Sequence, residues 1–403
     1  MIYLDNSATT PIDPEVLDAM LPYLKEEYGN PSSRYYTLAV NAEKAVEKAR
    51  EQVATLINAE PKEIIFTGGA SESNNFIIKG VADYKKYYEE KGNHIITSTV
   101  EHKSVLLACR FLNGDVFWNK SEKSIASQFL KKKSTTKKID RGYEVSFLPV
   151  NEHAQVERNT FKDAIKENTI LASFIWGNNE IGSLNDIADL CSIAKEKEIL
   201  FHSDATQVLG KIDIDVKKIP VDFLSMSAHK IYGPKGVGAA FVKQTGLSDY
   251  KMTSLIHGGL QERGYRSGTS AVHNIVGFGK ACEIAKRDMN EYIKKISKLE
   301  IEARKMLTEK YPGIEFLGDP DHHIPGVIGM LIPDIVNDMF IKNMADKCAI
   351  SSGSACGIGE PSYVIKEIGL ENKSSNFIRI AFNKNIILED LRKQEFNFNF
   401  CVF

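Results

Sequence analysis

The stretch VDFLSMSAHKIYGPKG, Val221 to Gly236, decides how this chain folds. Its first half is apolar and β-prone, and Ser-Ala-His-Lys is followed by Gly and Pro, which force the chain to turn. The pattern predicts a strand over 221–229 with Lys230 just past its end. Twenty-six residues upstream of Lys230, ILFHSDA (199–205) is a second apolar run; it ends in Asp204, and Gln207 follows. Working outward, EIIFTGG (63–69), HIITS (94–98), TILASFIW (169–176) and VGAAFV (237–242) also read as strands. Between them lie amphipathic stretches such as AVNAEKAVEKAREQVATLI (39–57) and DIADLCSIAKEKE (186–198). Strands alternating with helices from about residue 15 to 243 argue for an α/β domain with a mainly parallel sheet.

Beyond it the character changes. A long helical run is expected over about 274–310, and then GIEFLG, GVIGMLIP and NFIRIAF read as strands around IVNDMFIKNMADK, an α+β arrangement. With 403 residues the chain exceeds what one core supports. The expected division is a large domain over 15–260 and a small domain formed by 1–14 with 261–403. Residues 119–141 stand out: eight Lys/Arg against Glu122 and Asp140 read as a basic surface insertion. A phosphate-bearing or acidic partner is the sharper reading, but only Phe129 among its residues is aromatic, which speaks against single-strand binding.

Composition bounds the function classes. At 43% apolar, 26% charged and a net charge of −2, this is an ordinary globular chain with no overall attraction for nucleic acid or anionic membranes. Neither a signal peptide nor a membrane span is expected. Six cysteines (109, 191, 282, 348, 356 and 401) lack CxxC spacing, which argues against a disulfide framework and a metal site and suits a reducing cytoplasm.

The chemistry gathers at strand ends. A lysine just after a strand lies at the mouth of an α/β sheet, where ligands bind. A buried carboxylate such as Asp204 needs a cationic partner. An Asp facing a pyridinium nitrogen, with a lysine Schiff base, is how pyridoxal phosphate is held. FTGGASESNN (66–75) supplies a Gly-Gly turn and Ser71 at a helix start, an anion site. VEHKSV (100–105) puts His102 beyond another strand end, where it is either structural or a proton carrier stacked on a flat ring. SSGSACGIGEPSY (351–363) sets Cys356 among small residues, a predicted mobile loop and an unusual place for a free thiol. The other cysteines are poorer candidates: Cys109, Cys191, Cys282 and Cys348 lie in helix-like apolar patterns, and Cys401 is in the tail.

Taken together, YLDNSATTP, GNPSSR, FTGGASESNN, TVEHKSVL, NNEIG, DATQ, SAHKIYGPKG, HGGLQERGYRSGT and SSGSAC resemble, in order, the motifs of cysteine desulfurases. The likeness is to the branch serving nitrogen fixation and iron–sulfur-cluster assembly, within the class V aminotransferase group. It implies the fold type I of pyridoxal-phosphate-dependent transferases. It also implies that L-cysteine is converted to alanine while its sulfur passes to Cys356 as a persulfide. Lys230 would carry the cofactor and move a proton, Asp204 would pair with the ring nitrogen, Gln207 would bond the ring hydroxyl, and His102 would stack on the ring as acid/base. Ala70, Ser71, Ser227 and His229 would hold the phosphate, with Thr269 coming from a second subunit of a homodimer. Asn179 and Arg379 would hold the substrate carboxylate. A movable thiol with a lowered pKa is what such a relay requires.

The chain departs from the family in places. GIGEPSYV follows Cys356 where Thr-Ser is usual, and the loop is shorter, which bears on the choice of protein sulfur acceptor. Leu260 stands where a third glycine is usual, and EDLRKQEFNFNFCVF closes the chain where relatives continue with a helix. The alternatives are a selenocysteine lyase or other class V aminotransferase, which would not need Cys356, and a non-catalytic scaffold, which would not need Lys230, Asp204 and His102 together.

Overall fold

The computed structural model describes residues 1–33, 35–115, 138–244, 252–353 and 362–393. Twelve strands are found among them: β1 (Ile2–Tyr3), β2 (Ile64–Thr67), β3 (His94–Ser98), β4 (Glu144–Leu148), β5 (Thr169–Ile175), β6 (Leu200–Asp204), β7 (Phe223–Ser227), β8 (Gly238–Val242), β9 (Glu315–Leu317), β10 (Val327–Leu331), β11 (Cys348–Ala349) and β12 (Phe377–Ala381). A seven-stranded sheet runs in the order β2-β8-β7-β6-β5-β3-β4. Its neighbours from β7 to β4 are parallel, while β8 is antiparallel to both β7 and β2. The short link from Ser227 to Gly238 explains that reversal, because a parallel return needs a crossover of a dozen residues or more.

Six of these strands are buried along their whole length. That is why they appear in the sequence as continuous apolar runs instead of alternating ones. The edge strand β4 is mostly half-exposed and mixed in composition, EVSFL, so it carries no comparable signal. Helices α1 (Pro14–Lys25), α2 (Thr37–Leu56), α3 (Ala70–Tyr87), α4 (Lys103–Leu112), α5 (Arg158–Ala164) and α6 (Ile187–Glu196) accompany the sheet. Ile77, Val81, Val105 and Ala108 of α3 and α4 pack with β3 residue Ile95 in one apolar cluster. Val46, Val53, Leu190 and Ile193 of α2 and α6 belong to another, with Phe174 and Phe201.

The 39-residue helix α7 (Val272–Lys310) serves two cores. Its first half places Ile275, Phe278 and Met289 in the cluster with α2 and α6. Its second half places Ile296, Leu299, Ala303 and Leu307 in a separate cluster with β10 and β12. Those two strands and β9 form an antiparallel three-stranded sheet. The N-terminal residues join this C-terminal part: β1 pairs with β11 and Leu4 is buried in its core. The result is a large α/β layer with a small α+β domain. Cys348 proves to lie in β11 and not in a helix. No helix among the described residues is long and apolar enough to cross a membrane.

Candidate active site

Parallel strands present their carboxyl ends at one edge of the sheet, and Ile175, Asp204 and Ser225 stand in adjacent register there. The loops leaving β3, β5, β6 and β7 therefore bring His102, Asn179, Gln207 and Lys230 to one place. All four line a cavity of about 680 Å³.

Lys230 ends a single 3-10 turn that follows β7. Its Nζ donates to the carbonyls of Ser7 and, at 2.7 Å, Ala8. The N-terminal segment is stitched to the same turn, since Thr10 donates both its N–H and its hydroxyl to the His229 carbonyl, each at 3.0 Å. The His229 ring meets Thr9 Oγ1 at 3.1 Å. Burial, then repulsion by Lys230 and Lys235, pushes His229 down to about 4, so its imidazole is neutral.

Asp204 is buried at the end of β6. One carboxylate oxygen accepts from Asn74 Nδ2 at 2.8 Å and the other from the Thr206 backbone N–H at 3.0 Å. Both donors are neutral, so the cationic partner that the sequence calls for is not supplied by these bonds. His102 caps α4, its Nδ1 accepting from the Ser104 N–H at 3.2 Å and meeting Ser104 Oγ at 2.7 Å. That bond assigns the ring proton to Nε2. Burial outweighs the opposing pull of Asp204 and holds His102 below the usual histidine range.

The Gly-Gly turn behaves as an anion cradle. Gly69 adopts φ +146°, and a Cβ there would meet no heavy atom within 4 Å, so the space beside it is open. α3 starts at Ala70, placing Ala70 and Ser71 on the positive end of an 18-residue helix and at the cavity wall with Ser227 and His229. Glu72, next in the helix, also lines the cavity, its carboxylate engaged by the Gly68 N–H at 2.8 Å and by Arg266 at 2.8 Å. Thr269 is exposed and is not among the cavity's lining residues.

Arg379 is not a surface residue of β12; only 1% of it is exposed. It donates to Asp5 Oδ1 at 2.5 Å and to the Asn179 carbonyl at 2.8 Å, which orients the guanidinium toward the cavity it lines. Cys356 and Cys401 lie outside the described residues, as do residues 119–137 of the basic insertion. Cys109, Cys191, Cys282 and Cys348 are buried, and burial raises all four thiols, Cys191 and Cys348 to about 12. None of these is a nucleophile at neutral pH.

Ser7 and Ala8 lie within YLDNSATTP, but they contribute backbone carbonyls, a role that no side-chain motif reports. Lys211, four residues after Gln207 and outside the cavity's lining, looks like any surface lysine until its burial is seen.

The residues fit pyridoxal phosphate. Asn179 Oδ1, Thr206 Oγ1 and Arg379 Nε are buried at this cavity without a hydrogen-bond partner among the described residues. A carboxylate held by neutral donors, a lysine amine and a helix N-terminus complement in turn a ring cation, an aldehyde and a phosphate.

The aminotransferase class-V description matches residues 2–124 and 125–393, nearly the whole chain. This chain belongs to that family. Class-V aminotransferases and the cysteine desulfurases among them depend on pyridoxal phosphate. The chain is 42% identical, over 95% of its length, to the cysteine desulfurase IscS of Plasmodium falciparum, and it spans 65% of that protein's length. Among solved structures it superposes on a NifS-like protein with a TM-score of 0.83 at 31% identity, covering 98% of this chain and 97% of that one. SspA in complex with cysteine gives a TM-score of 0.77 at 32% identity, covering 96% of this chain and all of the other.

Proposed function

We propose that this class-V protein is a pyridoxal-phosphate-dependent cysteine desulfurase that converts L-cysteine to L-alanine and passes the sulfur to Cys356. The observation that carries the reading is the convergence of Lys230, Asp204, His102 and Arg379 on one cavity. SspA, a structural neighbour, is known in complex with cysteine. The bound cofactor supplies an electron sink that stabilises negative charge at the substrate's Cα.

The chain's own residues do the rest. Lys230 would hold the cofactor and move the proton at Cα; the Ser7 and Ala8 carbonyls accept from its amine and aim it. Asp204 would pair with the ring nitrogen and Gln207 with the ring oxygen. Ala70, Ser71, Ser227 and His229 hold the phosphate, and Thr269 of each subunit of a homodimer completes the other's site. Asn179 and Arg379 fix the substrate carboxylate, and His102 donates from Nε2. The Cys356 thiolate forms the new S–S bond as the substrate's Cβ–S bond breaks, and Cβ takes a proton to leave alanine.

The same reading makes the protein cytoplasmic and divides it into 15–260 and 1–14 with 261–403. It gives the persulfide a protein acceptor, for iron–sulfur assembly or nucleic-acid sulfur modification. Cys356→Ala is expected to keep the yellow colour of the holoenzyme while sulfide release from cysteine is lost. A colourless protein that cannot be reconstituted, or a variant that still releases sulfide, would overturn it. Light scattering should give twice the chain mass.

A further inference from the structure

Lys211 is a buried group that this mechanism leaves unused. Only 5% of the residue is exposed, and no carboxylate pairs with it among the described residues. Its Nζ donates to Gln207 Oε1 at 3.4 Å. It also borders, with Lys230, a second cavity of about 200 Å³ walled by Tyr232, Met289 and Tyr292.

Such a lysine costs stability. Burial, then repulsion by Lys230 and Arg379, pushes its amine down to about 7. A methionine would fill the same volume without burying a cation. What methionine could not do is hold the Gln207 amide. Gln207 donates from Nε2 to the Ser7 carbonyl at 2.9 Å and lines the main cavity. In its protonated form Lys211 has donors only, so it accepts one orientation of that amide, with Oε1 toward Lys211, the orientation that the Ser7 carbonyl also selects. The second N–H of Nε2 is then the group that Gln207 has left to offer.

We propose that Lys211 is a positioning residue: by holding Oε1 of Gln207 it makes that side chain an obligate hydrogen-bond donor to the anionic ring oxygen of the bound cofactor. This rests on the reading of the cavity given above and adds to it a residue that never touches cofactor or substrate.

The test is the affinity for pyridoxal phosphate, read from release of the visible band of the holoenzyme on dilution, together with the melting temperature. Lys211→Met is expected to melt no lower than wild type and to bind the cofactor about 5–10-fold more weakly, the worth of one hydrogen bond. Gln207→Leu should lose a similar factor, and the double variant no more than Gln207→Leu alone. Affinity within twofold of wild type in Lys211→Met, or losses that multiply in the double variant, would overturn the proposal. If Lys211→Met does not fold, Gln207→Glu decides. Its carboxylate pairs with Lys211 and has no proton to offer, so it should bind the cofactor more weakly than Gln207→Leu; wild-type affinity there removes the proposal. A wild-type protein that takes up no cofactor would instead remove the reading of the cavity itself.

Discussion

Ser362 donates its hydroxyl to the carboxylate of Glu180, although 182 residues separate them in the chain. The same carboxylate lies 3.0 Å from where a Cβ on Gly353 would stand, and Gly353 has φ +138°. Gly353 and Ser362, the described residues on either side of the segment carrying Cys356, therefore meet at one buried acid.

Removing either partner at that junction is expected to destabilise the fold. Ser362 also accepts from the Ile365 N–H at 3.2 Å, capping the helix Tyr363–Glu367. Ser362→Ala should cost about 1–3 kcal/mol in urea unfolding, since it loses a cap and leaves a buried carboxylate short of a donor. Gly353→Ala should cost a similar amount through the left-handed backbone and the close approach.

Glu101 predicts a pH dependence of stability. It is fully buried, accepts from Ser98 Oγ at 2.5 Å, and burial pushes it up to about 8. The folded state thus holds a proton that the unfolded state gives up near pH 4.5. Its share of the stability is intact below pH 4.5, declines as pH rises, and is lost by pH 8, a span of at most about 5 kcal/mol. Glu101→Gln should flatten the urea midpoint between pH 5 and 8.5; a slope equal to wild type would contradict this.

Asp204→Asn keeps the shape but loses the charge and one of the two accepted bonds from Asn74 and Thr206, because an amide nitrogen cannot accept. Turnover is expected to fall by about 10²-fold or more, with stability lowered by no more than the worth of one buried hydrogen bond, about 1–3 kcal/mol. Single-turnover sulfide release compared with thermal unfolding separates the two effects.

Arg379 has a structural duty and, in the function proposed above, a binding one, and two substitutions separate them. Arg379→Lys keeps the charge but not the fork, so KM for cysteine should rise about tenfold or more while kcat changes less. Arg379→Ala also leaves Asp5 without its partner and should cost about 3–5 kcal/mol of stability.

Much of this molecule can be read from its residues, for identifiable physical reasons. Strands such as HIITS are buried on both faces and announce themselves as apolar runs, whereas EVSFL at the sheet edge does not. Lys230 was legible because Gly and Pro follow a strand end. Lys211 and Glu101 were not, since burial is a property of the folded packing and a lone lysine or glutamate carries no mark of it. Long-range pairs are likewise silent: Arg50 reaches Glu262 through bonds of 2.7 and 2.9 Å across 212 residues, with no local pattern at either end. His102 was located but the downward shift of its pKa was not, because the desolvation behind it comes from burial in the folded packing.

The long helix α7 has a mechanical consequence. Its 39 residues give a rod of about 58 Å, one end embedded beside the sheet and the other beside the strands that carry Arg379. It is therefore a lever arm: a tilt of about 2° at its midpoint displaces the far end by about 1 Å. That is the scale on which a misplaced catalytic group loses about a hundredfold in rate, so a small change in the tilt of this helix would be felt at the cavity.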